Sequence, residues 1–542
     1  MSERDRVVAV RAEGRASWLP LVCLFLAQVL MAFNLAALPV SIGGMVAEFG
    51  VPPTAVSAAI VTYGLSVAAL VMTGAKVGQR LGWVRAFRVV VGTFAVSSLL
   101  MLLAPAVGWV IAAQALAGVS AAVIVPSLVA LIAQSYTGDQ QATAIGSLGS
   151  ARAIAGVAAF LLGGVLGTLV GWRPVFGVVL AIAVVVLVLS TRLQPVPGDP
   201  GVRIDAVGAV LVGAGVALVS VGFQNLDAWG LLLAAPGAPF DVAGVSPAPV
   251  LVVLGVVLGQ AFVRWTRRRV AAGRTPLVDL SVLASPQERA AVYAMFTVVA
   301  LEAALNFTVP LYIQIVQGRT PLDTALAMMP FNLTVFVVAT LVVRLYGRFP
   351  PRTIALVGFG LTTAALTWLS LVVTNNWETL PTVLGLVVFG VGQGALVTIV
   401  FNVLVTAAPR QQAGDVGAIR GTTQNLASAV GTALVGALLV TILGIGVGRA
   451  VLAHPELPPS LVAQVDLDSV DFVGNDDLRE TLRSRTDADP AQVDAAVAVN
   501  EQVRLDTLRV GLLVLAGLSA VAALPASRLP RYRPGQDEDR PR

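Results

Sequence analysis

The stretch AKVGQRLGWVR, residues 75–85, lies between two long apolar runs at about 55–77 and 86–104. It contains three cations and no acid. Apolar runs of about 20 residues are long enough to cross a bilayer as helices, and short basic loops between them stay in the cytoplasm. The stretch therefore predicts a pair of transmembrane helices joined by a short cytoplasmic turn.

The composition of the whole chain extends this interpretation. Hydrophobic residues make up 57% of the 542 residues and charged residues only 12%, which is about half the charged fraction of soluble domains. This composition excludes a soluble enzyme, a disordered protein and a nucleic-acid-binding protein. The single cysteine, Cys23, excludes an internal disulfide framework, and the single histidine, His454, excludes a His-rich metal site. We therefore expect no metal, no cofactor, no enzymatic activity and no nucleic-acid partner.

Fourteen apolar segments are long enough to span a bilayer. The sequence therefore predicts an all-α polytopic membrane protein with 14 transmembrane helices. The segments lie at about 18–42, 55–77, 86–104, 107–133, 142–169, 174–191, 204–224, 248–266, 288–314, 323–346, 353–374, 380–405, 416–447 and 506–526.

The distribution of arginine sets the predicted orientation. If the N-terminus is cytoplasmic, most of the basic residues that lie between spans fall in cytoplasmic segments. The short outside loops then hold little beyond Arg173 and Arg319. Cytoplasmic loops of membrane proteins carry such an excess of positive charge. We therefore expect a multi-pass protein of a bacterial plasma membrane with both termini in the cytoplasm.

The outside loop at about 448–505 is long and acidic, with 12 acids between Glu456 and Asp506. The spacing of its aspartates does not match that of a calcium-binding EF-hand loop. We therefore favour a solvated acidic surface over a calcium site. The aspartates that we considered are Asp466, Asp468, Asp471, Asp476 and Asp477.

Part of this loop has helix signals. Asp489 is a good N-cap residue, and Pro490 fits the first helical position. Neither Gly nor Pro follows between Ala491 and Val510. We therefore predict a helix that begins at residue 490 and continues into the last span. A shorter helix at about 476–485, capped by Asn475, is predicted before it.

Several motifs resemble those of the major facilitator superfamily, and specifically its fourteen-helix drug:proton antiporter branch. The stretch at 75–85 is similar to the family's G-x-L-A-D-R-x-G-R-K-x loop, and GWRPVF at 171–176 is similar to the start of the sixth span. The segment VPLYIQIVQGRTPLDTALAMMP at 309–330 closely resembles the end of span 9 and the start of span 10. Span 1 (Ala37-Leu38-Pro39) and span 4 (AAQALAGVSAAVIVPSLVALIA) add further resemblance.

The resemblance implies a major facilitator fold with two six-helix halves and two inserted helices. It also implies secondary active transport by alternating access, most simply the proton-coupled efflux of lipophilic or amphipathic small molecules. The expected partners are a small-molecule substrate, protons and the lipid bilayer, and the protein is expected to be a monomer. The implied segments are a cytoplasmic N-terminus at 1–17, an N-terminal half at 18–191, a linker with the two extra helices at 192–285, a C-terminal half at 286–526 that includes the outside loop 448–505, and a cytoplasmic tail at 527–542.

Several polar signature positions of the family hold other residues. Leu30 replaces the span 1 acid, Gln79 the loop aspartate and Gln114 the span 4 arginine, while Ala159-Phe160 replaces the Gly-Pro pair of antiporters. These differences keep two alternatives open. One is an uptake symporter or uncoupled facilitator, and the other is a non-transporting membrane protein whose acidic loop docks an envelope partner.

Ionisable residues inside membrane spans are costly and mark candidate functional sites. Glu302 lies near the centre of span 9, Arg152 lies within span 5, and Arg420 lies near the start of span 13. Glu302 is our candidate for the proton-coupling carboxylate, since the span 1 acid is absent. Arg152 is interpreted either as an anion-binding residue or as the partner of Glu302, whereas Arg420 is near enough to the span end to reach the interface.

Neutral polar residues within the spans predict a modestly polar substrate cavity, in which each of them also has an interhelical hydrogen bond as an alternative role. The loop at 75–85 is expected to act as a conformational latch through Gln79, Arg80 and Gly82, with Arg80 contributing most. The alternative is that its cations only set topology. The predicted cavity residues are Gln28, Asn34, Tyr63, Gln114, Arg152, Asn306, Asn332, Gln393 and Gln424, and Asn402 and Asn425 belong to the same polar set.

Overall fold

The computed structural model describes residues 17–453, 475–485 and 489–530, apart from 52, 196, 231, 236, 242, 311, 314–316, 318, 320, 347, 375, 378 and 408–411. Fourteen helices in this part of the chain are long and apolar enough to cross a membrane. They are α1 Leu19–Phe49, α2 Pro53–Leu81, α3 Trp83–Leu102, α4 Val107–Ser135, α5 Gly138–Leu169, α6 Arg173–Ser190, α7 Ala206–Gln224, α8 Pro247–Ala271, α9 Pro286–Pro310, α10 Pro321–Tyr346, α11 Pro351–Val372, α12 Leu380–Ala407, α13 Ala413–Ala453 and α14 Pro490–Ala526.

The ends of these helices follow local sequence signals. Six of them start with proline, which has no backbone N–H to leave unpaired in a first turn. Asp205 caps α7 by accepting a hydrogen bond from the Gly208 N–H, and Ser246 caps α8 by accepting one from Ala248. Gly82 alone separates α2 from α3 at φ 85°, a conformation that other residues rarely adopt. The predicted short turn at 75–85 is therefore a one-residue connection.

Helices α1–α6 form the N half and α9–α14 the C half. Within the N half, α4 is the most buried span, so it forms the centre of the bundle. The inserted hairpin of α7 and α8 lies outside both halves. Its α7 packs on α2 and α13, and α8 packs behind α7 and is the least buried span. Gly215 and Gly255 let the two inserted helices approach, because a side chain on either would meet the backbone of the other.

The two halves meet closely at one end of the bundle. We call this end the latch end and define it by the α2–α3 turn; the opposite end is the far end. Here α13 lies against α2 and α4, and small residues permit the approach. A side chain on Gly414 would meet Trp83, one on Gly417 would meet the backbone of Pro126, and one on Gly421 would meet Val71.

The predicted helices between α13 and the last span are present. Helix α14 begins at Pro490, and the Asp489 N–H donates to the Gln492 side chain in a capping box. A loop helix, Asn475–Arg485, precedes it and packs against it through Leu482, Val493 and Val497. Asn475 is the first residue of that helix rather than its cap. The aspartates at 466, 468 and 471 lie outside the described residues.

Candidate functional site: two ion pairs between the halves and a central cavity

A buried ion pair joins the halves at the latch end. The Lys76 ammonium of α2 lies 3.2 Å from a carboxylate oxygen of Asp415 in the first turn of α13. Both side chains are almost fully buried, with exposed fractions of 9% and 4%. Asp415 also accepts a hydrogen bond of 3.1 Å from the backbone N–H of Asp279. A carboxylate in a first helical turn is favoured by the helix dipole, so the position of Asp415 adds to the stability of the pair.

Gln79 bridges the two charged groups of this pair. Its side-chain carbonyl accepts a hydrogen bond of 3.1 Å from Lys76, and its amide donates one of 3.2 Å to Asp415. A carboxylate at this position, as in the family motif, would face Asp415 with a like charge. A neutral amide satisfies both neighbours, which explains physically why glutamine fits here.

We define the latch as Lys76, Gln79 and Asp415. The Arg80 side chain is exposed and makes no hydrogen bond or ion pair with any other described residue. The structure therefore differs from the expectation that Arg80 contributes most. The cation of the latch is Lys76, and its acid lies 339 positions away along the chain.

A second ion pair joins the halves in the middle of the bundle. The Arg152 guanidinium of α5 lies 3.7 Å from a carboxylate oxygen of Glu302 in α9. Their side chains are 36% and 19% exposed. At 3.7 Å the two groups are within ion-pair distance but beyond a normal hydrogen bond. Unlike the latch, this pair is loose and partly accessible.

Arg420 adds a second cation to this region. It is only 5% exposed, and its guanidinium carbon lies 4.0 Å above the centre of the Phe401 ring. Such a cation–π contact stabilises a buried guanidinium only in part. Arg420 is close to the central pair, because Gly149 and Val298, which line one cavity with Arg420, lie one helical turn from Arg152 and Glu302.

A narrow cavity, which we call the central cavity, lies beside these groups between α5 of the N half and three helices of the C half. Arg420 and Gln424 supply its charged and amide groups, and most other lining side chains are apolar. The lining residues are Ile145, Gly146, Gly149, Met295, Val298, Val299, Val397, Thr398, Phe401, Arg420 and Gln424.

The remaining predicted cavity residues are dispersed. Asn34 and Gln114 form a reciprocal pair of buried amides within the N half, at 2.9 and 3.3 Å. Gln393 of α12 donates to the Val298 carbonyl of α9, and Asn332 donates to the Met328 carbonyl within its own helix. Three others differ in burial: Tyr63 is buried, Gln28 is half-buried and Asn306 is exposed.

Two further amides of the polar set form hydrogen bonds within their own helices. Asn402 and Asn425 donate to the carbonyls of Thr398 and Gly421 in the preceding turns of their own helices. Such bonds satisfy the side chains locally. Of the predicted set, the structure therefore brings together Arg152 and Glu302, with Gln424 and Arg420 nearby. It holds Asn34, Gln114, Asn332 and Gln393 in contacts within one half.

A third ion pair provides a contrast because both of its partners belong to the N half. At the far end, Glu48 of α1 accepts hydrogen bonds from Arg173 and from the Trp172 ring N–H. The hydrogen bond from Arg173 holds the pKa of the Glu48 carboxyl below its ordinary value. This pair fixes α1 to α6 and does not depend on the relative position of the halves.

Sequence reasoning missed Asp415 and the Asp205 cluster. Asp205 accepts a hydrogen bond of 2.9 Å from the Trp265 ring N–H and lies 3.4 Å from Arg269, which ties the base of α7 to α8. In each case the available signal was an acid at the first turn or cap of an apolar helix. Only the fold shows which cation faces that acid.

Comparison with known proteins extends these observations. The chain matches the family model described as "Major Facilitator Superfamily" over residues 24–432. It is 26% identical over 433 residues to "Multidrug efflux pump LfrA" of Mycolicibacterium smegmatis (strain ATCC 700084 / mc(2)155), which covers 78% of this chain and 81% of that protein. It is 25% identical over 522 residues to "Multidrug resistance protein Stp" of Mycobacterium tuberculosis (strain CDC 1551 / Oshkosh), which covers 95% of this chain and 92% of that protein.

Among solved structures, the human organic anion transporter MFSD10 has a similar fold. The TM-score is 0.58 at 12% sequence identity, with 94% of this chain and 99% of that chain covered. At this identity the likeness concerns the fold alone. Because the family model spans most of the chain and all fourteen membrane helices are present, the protein is a member of the Major Facilitator Superfamily.

Proposed function

We propose that this transporter exports lipophilic or amphipathic small molecules by alternating access, and that Glu302 couples export to proton movement. Relatives named as a multidrug efflux pump and a multidrug resistance protein support export. The observation that carries the coupling proposal is the Arg152–Glu302 pair, since one partner belongs to each half.

The position of this pair links protonation to conformation. When the halves rock about the centre of the bundle, the distance between α5 and α9 changes. A carboxylate that loses its cationic partner in an apolar surrounding takes up a proton more readily. Glu302 therefore binds a proton when the pair separates and releases it when the pair reforms. This cycle lets the proton enter from one side of the membrane and leave on the other.

The latch end is proposed to face the cytoplasm. Described basic residues at or near the ends of spans concentrate at this end, among them Arg85, Arg88 and Arg348. The cytoplasmic side of membrane proteins carries such an excess. The latch then closes the cytoplasmic side in the state described here. Both termini lie on that side of a bacterial plasma membrane, and the transporter functions as a monomer.

Uptake or uncoupled transport is the second candidate function. It is favoured by Ala159 and Phe160 in α5, where antiporters of the family have a Gly-Pro pair. Everted membrane vesicles distinguish the two, because export from the cell appears there as accumulation inside the vesicle.

The test compares Glu302→Gln with the wild type in everted vesicles that carry an imposed pH gradient. A panel of fluorescent amphipathic dyes, cationic, neutral and anionic, serves as the transport probe. We expect Glu302→Gln to lose dye accumulation driven by the pH gradient while retaining dye exchange without a gradient. Glu48→Gln is the matched control, because it removes a carboxylate paired with arginine inside one half.

Two outcomes contradict the proposal. Normal gradient-driven accumulation by a normally inserted Glu302→Gln variant removes Glu302 from the coupling role. Accumulation by the wild type only in right-side-out vesicles reverses the proposed direction.

A further inference from the structure

The charge balance of the central cavity points to a class of substrate. Three ionisable groups share this region: Arg152, Arg420 and Glu302. Glu302 is the only acid in the middle of the four helices that line the cavity, since the other acids of these helices lie in their first turns. With Glu302 ionised, the region carries one positive charge in excess.

The excess charge is located on Arg420. The Arg152 guanidinium already has a carboxylate at 3.7 Å. In the part of the chain that the structure describes, no carboxylate lies within 4.0 Å of the Arg420 guanidinium. A buried cation without a counter-ion is strongly unfavourable, because it has lost its hydration without gaining an opposite charge. Arg420 therefore leaves a charge that a ligand can neutralise.

The surroundings of Arg420 define the rest of the ligand. Gln424 lies one helical turn further along α13 on the same cavity wall, where its amide can donate a second hydrogen bond. Phe401 presents an aromatic face, and Val298 and Val397 present aliphatic surface. Phe401 and Val298 are buried in this state and the cavity is narrow, so the site must widen to admit an aromatic or aliphatic body. Such a body suits this apolar wall better than a hydrated inorganic ion does.

We propose that the central cavity binds small amphipathic organic anions, such as an aromatic carboxylate or sulfonate, with the anionic group on Arg420 and Gln424 and the apolar body against Phe401. This inference rests on the proposed function, because it assigns the substrate to the cavity between the halves. An anion on Arg420 leaves the Arg152–Glu302 pair intact. The substrate site and the proposed proton site therefore use different groups.

The test measures equilibrium binding to the full-length protein in phosphatidylcholine nanodiscs. Three ligands share one aromatic body: 2-naphthylacetate, 2-naphthylethanol and 2-naphthylethylammonium. We expect the anion to bind at least about tenfold more tightly than the cation, with the neutral alcohol between them, because loss of one partner of a buried charge pair costs more than tenfold in affinity. No gradient is applied, so the result does not depend on proton coupling or on the direction of transport.

Variants then locate the site. We expect Arg420→Gln to weaken naphthylacetate binding about tenfold and to change naphthylethanol binding less than about twofold, whereas Arg420→Lys keeps the preference for the anion. Gln424→Leu is a second, milder variant in case Arg420→Gln does not fold, and it weakens binding of the anion selectively. Arg479→Gln on the loop helix is the control for a loss of positive charge outside the bundle.

Three results would overturn the inference. The first is equal or tighter binding of the cation. The second is an unchanged preference for the anion in both Arg420→Gln and Gln424→Leu. The third is loss of naphthylacetate binding when phosphatidylglycerol is added to the nanodiscs, which would assign the site to an anionic lipid headgroup. Loss of pH-driven transport in Glu302→Gln with anion preference intact separates this site from the coupling role.

Discussion

Among the described residues, two ion pairs cross between the halves of this transporter, and they are built differently. The latch pair, Lys76 and Asp415, is buried at 3.2 Å and is reinforced by Gln79 and by the backbone of Asp279. The central pair, Arg152 and Glu302, is partly exposed at 3.7 Å. The described contacts of the latch are therefore short and numerous, whereas the central pair is held by a single long contact.

The difference indicates different tasks. A buried pair whose remaining hydrogen-bonding groups are satisfied is expensive to break, because separation leaves charges without partners or water. A partly exposed pair contributes little to stability, because water already solvates its members. We infer that the latch holds one state of the transporter. In the central pair, we infer that a proton can easily replace Arg152 as the partner of Glu302.

The largest expected effect comes from Asp415→Ala. This change removes the carboxylate that the Lys76 ammonium, the Gln79 amide and the Asp279 N–H all contact. It should raise the free energy of the closed-latch state by about 3–5 kcal/mol, because the buried Lys76 charge loses its counter-ion. We expect the latch end to open. Spin labels at Arg85→Cys and Arg348→Cys in a Cys23→Ser background should show longer distances in this variant.

The double variant Lys76→Ala with Asp415→Ala controls for the loss of the whole pair. It should recover part of the lost stability, because no unpaired charge remains. Unchanged label distances in Asp415→Ala would contradict a role for the latch in selecting the state.

A smaller effect on stability is expected for Arg152→Gln. The Arg152 side chain is about one third exposed, so its ion pair should contribute no more than about 1 kcal/mol to the free energy of unfolding. Transport driven by a pH gradient should nevertheless fall, because Glu302 then lacks the Arg152 guanidinium with which a proton is proposed to compete. Thermal unfolding in detergent and dye accumulation in everted vesicles measure the two effects. A stability loss as large as that of Asp415→Ala would remove the distinction between the pairs.

The smallest effect is expected for Arg80→Ala. Its side chain is exposed, and substitutions at such positions usually change stability by less than about 0.5 kcal/mol. The label distances at the latch end should remain those of the wild type, provided that cysteine accessibility shows normal insertion. A shift comparable to that of Asp415→Ala would restore Arg80 as the main latch cation.

Most of the fold was predictable because each membrane helix is specified locally. A bilayer offers no hydrogen bonds to the backbone, so every long apolar run must form a helix. The start of α14 was predictable for a similar reason, since Asp489 and Pro490 determine it within two residues. Helix ends were less predictable: α1 continues to Phe49 and α13 to Ala453, because polar residues outside the apolar run remain compatible with helix.

The site was predictable only in part. Arg152 and Glu302 can be identified from sequence, because placing an ionisable side chain in a membrane span costs free energy and such residues are therefore rare. The partner of Lys76 was not identifiable, since Asp415 resembles an ordinary first-turn acid and meets Lys76 only because the fold packs α13 against α2. Likewise, the burial of Arg420 depends on the packing of α12 and α13, whereas sequence position alone suggested an interfacial arginine.

The single residue between α2 and α3 has a mechanical consequence. A connection of one glycine leaves only two backbone torsions at the elbow, and the Trp83 ring lies against both Gly78 and Gly414. The connector after α6 also contacts this turn, because the Asp199 N–H donates to the backbone carbonyl of Gln79 and Gly198 packs on the backbone of residues 80–82. Helices α2 and α3 should therefore move as one rigid body. The connector between α6 and α7 is bonded to this pair of helices, so a displacement of the latch should also displace the inserted hairpin.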